Sequence, residues 1–241
     1  GQALFGYVGA DAKLTDIAVT KRQSENYSIS ASAPLARINN GTITHCRYSG
    51  GITAKDSLGG LVYTNNGTIE ACCVYAGRLN RGSRIEMYYG GRAGGIAYEN
   101  TGTIVNSYFY GDIVQAQSNG TVHDIIGWGA IAYKNSGTVS NCYYGADRDD
   151  GYGGKTEEQF RGGEVAYLLN GGTARDDWRQ NCYAGDNSDA TPVLDRSHAQ
   201  VRKTGSSYVS LYPHVHCICG GAATSGGHPQ HSNVTYTAWT N

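Results

Sequence analysis

Apolar and polar residues alternate in the same order at four places along the chain. Each place carries an Asn-x-Gly-Thr motif followed by Ile or Val, and the glycines of the four motifs are Gly41, Gly67, Gly102 and Gly137. These glycines lie 26, 35 and 35 residues apart, a spacing typical of solenoids and related repeat proteins. We therefore expect an array of similar units, each burying its apolar face against the next.

Positions counted from the glycine predict short strands in every unit. Leu or Ile stands at −6, Ile or Val at +2, Cys or Ser at +5, and an aromatic residue or Val at +7. Position −4 holds Arg37, Tyr63, Tyr98 and Tyr133. Alternation with a period of two is typical of half-buried strands, so we expect positions −6 and −4 to face the core.

The alternation changes phase between +2 and +5, which predicts a corner or bulge. Position +4 in this corner holds His45, Ala71, Asn106 and Asn141. The Asn-x-Gly step predicts a tight turn, because Asn and Gly tolerate positive φ. Strand, turn, strand, corner and strand favour a mostly β protein, a parallel β-solenoid whose equivalent residues form columns with a spacing of about 4.8 Å. The central column would contain Ile43, Ile69, Ile104 and Val139.

Composition supports a β-rich, turn-rich chain, with 35 Gly, 19 Tyr, one Met and four Pro. The formal net charge is −1 without blocks of like charge, so electrostatic capture of nucleic acid or of an anionic membrane is not expected. We also expect no membrane span, because no apolar run is long enough. The chain begins at Gly1, which indicates either a processed protein or a piece of a longer one.

The repeats resemble the GLUG-motif repeats of large bacterial surface and secreted proteins. The resemblance is carried by residues 60–72 and 95–110, and by a closing segment at 155–160, 163–170, 178–180 and 192–195. It covers roughly residues 30 to 202 and is specific for the repeat type, but weak for function, because such repeats occur beside many different domains. It implies an extracellular, clostridial-type cell-surface protein.

The closing segment predicts one short helix that covers the open end of the solenoid. Thr156 followed by two acidic residues is a helix start, and Gly171-Gly172 ends the helix. The apolar stripe would consist of Phe160, Val165, Leu168 and Leu169. We predict a solenoid over 1–150 with an imperfect first coil to about residue 30, a helix-containing cap over 151–202, and a tail module over 203–241.

Seven cysteines form an odd set. We expect buried thiols at Cys46, Cys72, Cys73, Cys142 and Cys182. The tail suits zinc in a structural role, with ligands Cys217, Cys219, His228 and His231, and with His214 and His216 also available. The tail pattern resembles a short module near the ends of clostridial-type surface proteins. The alternative is a tail whose two thiols pair with each other.

A second cation site is suggested by Asp147, Asp149 and Asp150, because clustered carboxylates suit calcium. Their spacing differs from an EF-hand loop, and Arg148 offsets part of the charge. We expect a solvated loop there rather than a calcium site.

The sequence does not indicate an enzyme. Carboxylates of the repeats recur at no fixed position, whereas glycoside cleavage needs a defined pair. No nucleophile elbow, zinc-protease helix or phosphate-binding loop is recognisable in the sequence.

Outward-facing tyrosines are the remaining candidate site. Tyr75, Tyr108, Tyr110 and Tyr143 lie at positions +6 or +8, which should face solvent if +5 and +7 face inward. Such a row suits sugar rings or another protein. The alternative is that Tyr simply fits a pleated, half-exposed surface.

We therefore expect a non-catalytic stalk or adhesin that binds a glycan or protein of a host or neighbouring cell. A first alternative is a filament or surface-layer subunit that self-associates head to tail. A second is an accessory region of a secreted peptidase or glycoside hydrolase.

Overall fold

The computed structural model describes residues 3–20, 33–54, 57–76, 85–87, 91–116, 122–123, 127–145, 153–182 and 188–211. The chain divides into two compact units, Gly1–Glu157 and Glu158–Asn241. The first unit confirms the predicted fold class, because its parallel strands stack in register as a β-solenoid.

The strands of the first unit follow one another in five coils. The first coil contains β1 (Phe5–Val8), β2 (Lys13–Thr15) and β3 (Ala18–Thr20). The second contains β4 (Ala36–Asn39), β5 (Thr42–Thr44), β6 (Arg47–Ser49), β7 (Ile52–Ala54) and β8 (Ser57–Gly59). The third contains β9 (Val62–Asn65), β10 (Thr68–Glu70), β11 (Cys73–Tyr75), β12 (Ile85–Met87) and β13 (Arg92–Gly94). The fourth contains β14 (Ala97–Asn100), β15 (Thr103–Val105), β16 (Tyr108–Tyr110), β17 (Ile113–Ala116), β18 (Val122–His123) and β19 (Gly127–Gly129). The fifth contains β20 (Ala132–Asn135), β21 (Thr138–Ser140) and β22 (Tyr143–Gly145).

Equivalent strands of successive coils form five parallel sheets. Sheet A contains β1, β4, β9, β14 and β20; sheet B contains β2, β5, β10, β15 and β21; sheet C contains β3, β6, β11, β16 and β22. Sheet D contains β7, β12 and β17, with β18 antiparallel to β17, and sheet E contains β8, β13 and β19. The strands of the first coil pair with those of the second coil, while the predicted extent of the first coil to about residue 30 stays a prediction.

The predicted central column is present in sheet B. Ile43 pairs with Ile69, Ile69 with Ile104, and Ile104 with Val139. The three isoleucines are fully buried, whereas Val139, in the last coil, is half-buried. A neighbouring column at position +7, which includes Val74 and Phe109, packs into the same core. Each fully buried aliphatic side chain contributes about 1.5–3 kcal/mol through removal of apolar surface from water.

The predicted corner at +4 is also confirmed. His45, Ala71, Asn106 and Asn141 have φ between 47° and 52°, the left-handed region that L side chains rarely adopt. The conformation is held by contacts between coils. For example, the Ala71 amide donates to the carbonyl oxygen of Val105, at 3.2 Å, in the next coil.

The repeat glycine serves a purpose that differs from the predicted one. The described residues with positive φ do not include Gly41, Gly67, Gly102 or Gly137. A Cβ on Gly67 would instead lie 2.1 Å from the carbonyl oxygen of Gly41 in the preceding coil. Glycine is therefore needed because the backbones of successive coils approach closely.

The asparagine two residues before the glycine forms a buried polar column that the sequence did not predict. The side-chain amide of Asn39 donates to Asn65, that of Asn65 to Asn100, and that of Asn100 to Asn135, each over 2.7 Å. Asn39, Asn65 and Asn100 have no exposed surface. The column satisfies amide groups that would be costly to bury alone.

Two short helices follow the solenoid strands along the chain, where the sequence predicted one. These are α1 (Glu157–Arg161) and α2 (Glu164–Leu169), which are separated by Gly162 and by Gly163, whose φ is +85°. A Cβ on Gly163 would lie 2.6 Å from the Cys182 thiol, so glycine is required where the helix breaks. Of the predicted apolar stripe, Leu168 is half-buried, and the other three residues are buried. The covering of the solenoid by this segment stays a prediction.

Trp178 and an antiparallel hairpin complete the second unit. The Asn170 side chain accepts hydrogen bonds from the amides of Asp177 and Trp178 and donates to the Trp178 carbonyl oxygen. The hairpin consists of β23 (Gln200–Thr204) and β24 (Ser207–Leu211), and it spans the predicted boundary between residues 202 and 203.

We predict that Gly67→Ala destabilises the solenoid by at least about 1–3 kcal/mol, because the new methyl group overlaps a backbone carbonyl of the adjacent coil. Urea unfolding followed by circular dichroism measures the change. Gly6→Ala is the matched control, because a Cβ there has no atom within 4 Å. Equal unfolding midpoints for the two variants would contradict the close-approach explanation.

Candidate functional site

Three tyrosines at position −4 form a stack on the outside of sheet A. The prediction that this position faces the core is wrong for Tyr63 and Tyr133, because positions −6 and −5 fill the core, whereas Tyr98 is buried but lies outside the main apolar cluster. The stack, here called the tyrosine column, consists of Tyr63, Tyr98 and Tyr133. The ring centroids of Tyr63 and Tyr98 are 4.7 Å apart, and those of Tyr98 and Tyr133 are 5.4 Å apart.

The column forms because in-register parallel strands place equivalent side chains directly above one another. Val62 pairs with Ala97 and Ala97 with Ala132, so the tyrosine that follows each of these residues stands beside its neighbour. The repeated tyrosine spacing of 35 residues was visible in the sequence. Its direction was misassigned because two consecutive residues, at −6 and −5, both face inward at a corner.

Residues of sheet E lie beside the tyrosine column. Ser57, Arg92 and Gly127 occupy one register position of β8, β13 and β19. The Ser57 hydroxyl is 2.9 Å from the Tyr63 hydroxyl. A Cβ at Gly127 would lie 2.8 Å from Cγ of Arg92 and 3.4 Å from the Tyr133 ring, so the glycine leaves space for the arginine.

Three exposed cations surround the column. Arg37 precedes Tyr63 by one coil at the same position, and the Lys134 ammonium lies 5.4 Å from the centre of the Tyr98 ring. Arg92 is the third. Burial raises the pKa of the Tyr98 hydroxyl, and the nearby Lys134 and Arg92 charges oppose this shift. The hydroxyl therefore remains a neutral donor at physiological pH.

The stacking of the rings determines which groups of the tyrosine column a ligand can contact. Both faces of the Tyr98 ring are occupied by neighbouring rings, and the side chain is 8% exposed. A ligand lying along the column would therefore meet ring edges, hydroxyl groups and the adjacent cations rather than open ring faces. The arrangement suits hydrogen bonding and charge pairing more than ring stacking.

The tyrosine row predicted from the sequence is largely covered. Tyr108 and Tyr110 are each only 2% exposed, so their predicted exposure to solvent is wrong. Tyr75 and Tyr143 are half-buried. Tyr75 and Tyr110 stack with centroids 5.7 Å apart, which follows from the in-register pairing of β11 and β16. Binding by these four tyrosines stays a prediction.

The thiols at position +5 close the corner of each coil. The Cys46 thiol donates to the carbonyl oxygen of Thr44, and the Cys142 thiol to that of Ser140, each over 3.3 Å. In the fourth coil, the Ser107 hydroxyl donates to the Val105 carbonyl oxygen over 2.8 Å. The prediction of buried thiols is confirmed for four of the five cysteines, while Cys182 is half-buried.

Burial makes the thiols of Cys73, Cys142 and Cys182 poor nucleophiles. It raises the pKa of Cys142 to about 12 and the pKa values of Cys73 and Cys182 to about 11. A thiol must lose its proton to attack or to bind a metal. Cys142 therefore acts as a hydrogen-bonding core residue. Cys46 differs, because a hydrogen bond with Cys72 lowers the pKa of its thiol.

One histidine–carboxylate pair lies in the second unit. Nδ1 of His198 is 2.7 Å from the Asp189 carboxylate, which also accepts the Asn181 amide over 2.7 Å. The Ala199 amide donates to the side chain of Asn181. These contacts hold residues 188–199 against the segment around Asn181, which is a structural role.

The predicted metal ligands lie outside the described residues. This applies to Cys217, Cys219, His228 and His231, to the additional His214 and His216, and to Asp147, Asp149 and Asp150. Within the described ranges, no group of three or more His, Cys, Asp or Glu residues is placed to hold a metal ion. The zinc site in the tail stays a prediction, and so does the solvated loop that we expect in place of a calcium site.

Comparison with protein-family models gives no match, and neither does comparison with curated proteins or with solved structures. Among the helices of the described part of the chain, none has the length and apolar character needed to cross a membrane.

We predict that the stability of the solenoid falls as pH rises above about 9, and that Cys142→Ser reduces this fall. The unfolded thiol loses its proton near its ordinary pKa of 9.0, whereas the folded thiol keeps it to about 12. Alkaline pH therefore favours the unfolded state, by up to about 1.4 kcal/mol per pH unit for this group.

Urea midpoints measured from pH 8 to 11 test this prediction. Serine is a suitable replacement because Ser107 already occupies the equivalent position. Other thiols and tyrosines titrate in both proteins, so the difference between the two curves isolates Cys142. Parallel curves would show that its burial does not contribute.

Proposed function

We propose that this chain is a non-catalytic surface module that presents the tyrosine column to a glycan or protein ligand. The observation that supports the proposal is the outward stack of Tyr63, Tyr98 and Tyr133 with cationic side chains beside it. Tyrosine combines a large, rigid contact area with a hydroxyl group and is enriched at binding surfaces. The stacked coils would hold these groups at fixed positions, so that little ordering is needed on binding.

We further propose that the repeats are of the GLUG type and that the module works at a bacterial cell surface or in secreted form. Support comes from the sequence at 60–72 and 95–110, where a Gly-Leu or Gly-Ile step precedes the column tyrosine. The stacked coils agree with a repeat of this kind.

We predict that the double substitution Tyr63→Ser with Tyr133→Ser weakens ligand retention at least about tenfold, because both ends of the column are lost. Retention is measured on a glycan array and on a panel of immobilised extracellular proteins. Tyr7→Ser is the matched control, because Tyr7 is 60% exposed and lies outside the column.

A circular dichroism melt checks that the double variant keeps its fold. Tyr98→Phe, which keeps the ring and removes the hydroxyl, separates loss of hydrogen bonding from loss of stacking. Retention that is unchanged in a folded double variant would overturn the binding role of the column.

Head-to-tail self-association is a second candidate, because apolar groups are exposed at the first coil. Leu4 and Tyr7 are 59% and 60% exposed. Sheets A and B end at β1 and β2 in the first coil and at β20 and β21 in the fifth, so among the described residues each of these strands has a neighbour on one side only. Open strand edges can add strands of another molecule, and a heterologous contact of this kind builds filaments.

We predict that the mass of the wild-type protein rises with concentration, whereas Leu4→Glu stays monomeric, because the added charge opposes apolar contact at the first coil. Sedimentation velocity from about 1 to 100 μM measures the mass. Thr173→Glu adds the same charge at an exposed position of the second unit and should behave as wild type. A wild-type protein that stays monomeric throughout would exclude assembly.

A further inference from the structure

We infer that the tyrosine column binds an acidic polysaccharide, a linear glycan that carries carboxylate or sulfate groups and lies along the stacking direction of the coils. This inference rests on the proposed binding function and specifies its ligand class.

Charge is the first argument. Arg37, Arg92 and Lys134 are exposed beside the column, and Glu99 is the one acidic residue on the described strands β4, β9, β14 and β20. Among the described residues, no ion pair engages any of the three cations. The whole chain has a formal net charge of −1, so this positive face is a local feature. Unpaired guanidinium and ammonium groups favour carboxylate or sulfate oxygens.

The distance between the cations is the second argument. Arg37 and Lys134 belong to the second and fifth coils at neighbouring positions of sheet A. Three coil-to-coil steps of about 4.8 Å place their backbones roughly 14 Å apart. A single small anion cannot contact both, so a ligand that uses all three cations is extended along the column.

The paired backbone excludes a peptide that adds as a strand to this face. Amide groups of sheet A already donate to the next coil, for example Val62 to the Ile96 carbonyl oxygen over 3.0 Å. Strand addition requires free backbone groups at a sheet edge. Recognition on this face therefore depends on side chains.

The covered faces of the central ring disfavour nucleic acid, because single-stranded binding uses open aromatic faces on which bases stack. The Tyr98 ring is covered on both sides. Stacked hydroxyl groups with cations beside them instead match a polymer that carries both hydroxyl and anionic groups. An acidic polysaccharide has both.

The test measures binding of the full chain to four immobilised polymers by biolayer interferometry. Alginate supplies carboxylates, dextran sulfate supplies sulfates, dextran is the neutral glycan, and poly-glutamate is the acidic peptide. We expect binding to alginate or dextran sulfate that weakens at least about tenfold between 50 and 500 mM salt. The better of these two polymers identifies the anionic group.

Charge-removing variants then locate the site. Arg37→Gln, Arg92→Gln and Lys134→Gln should each weaken binding about threefold to tenfold, and the triple variant should abolish it. Lys13→Gln is the matched control, because Lys13 is exposed in the same unit but lies on sheet B. Loss of binding with Lys13→Gln equal to that with Arg92→Gln would show a diffuse charge effect and overturn the inference.

The other outcomes separate this inference from the function on which it rests. Dextran bound as tightly as the charged glycans, with loss in the tyrosine double variant, overturns the acidic ligand but keeps the binding role. Tighter binding of poly-glutamate than of either charged glycan replaces the polysaccharide by an acidic protein. If the tyrosine variants and the charge variants all bind acidic glycan as tightly as the wild type, the tyrosine column is not the site. If neither charged glycan binds the wild-type chain, the inference is overturned.

Discussion

The structure depends on the hydrogen bonds that join each coil to the next. These bonds fix successive backbones at the strand spacing of about 4.8 Å and in register. Every side chain therefore stands directly above its equivalent, as Ile43, Ile69 and Ile104 do. A residue that suits this stacking once can be repeated, and one that does not is excluded at every coil. Gly67 illustrates the exclusion, because even a methyl group would overlap the backbone below.

Polar groups tolerate burial in this fold because the same register gives them partners. The Asn65 amide donates to Asn100 above it and accepts from Asn39 below it. A column of identical amides thus satisfies both donors and acceptors, which a single buried Asn could not do without other partners. The corner thiols are instead satisfied within their own coil, each donating to a carbonyl oxygen two residues earlier. The interior is stabilised by polar columns as well as by apolar packing.

Most of the architecture was predictable, because in-register stacking places residues with the same offset in each repeat at equivalent positions of the structure. The isoleucine column and the corner at His45 and Ala71 follow from residues at fixed offsets. The direction of Tyr63 and the burial of Tyr108 were not predictable in this way. Both depend on how the chain turns at corners, where a period of two no longer says which side a residue faces. Helix division at Gly163 likewise depends on a tertiary contact, with the Cys182 thiol.

The tyrosine column is continuous although the coils differ in length, because the extra residues lie in another part of each coil. Tyr75 and Ile85 are separated by nine residues where Ser49 and Ile52 are separated by two, so the third coil gains most of its extra length after β11. The fourth coil instead gains its length after β17, although both glycine spacings are 35. All of these insertions lie between sheets C and E. The passage from sheet E to sheet A has the same length in every complete coil, with two residues after β8, β13 and β19. Arg92 and Tyr98 are therefore placed by the regular part of the repeat, and length variation elsewhere leaves the candidate site intact.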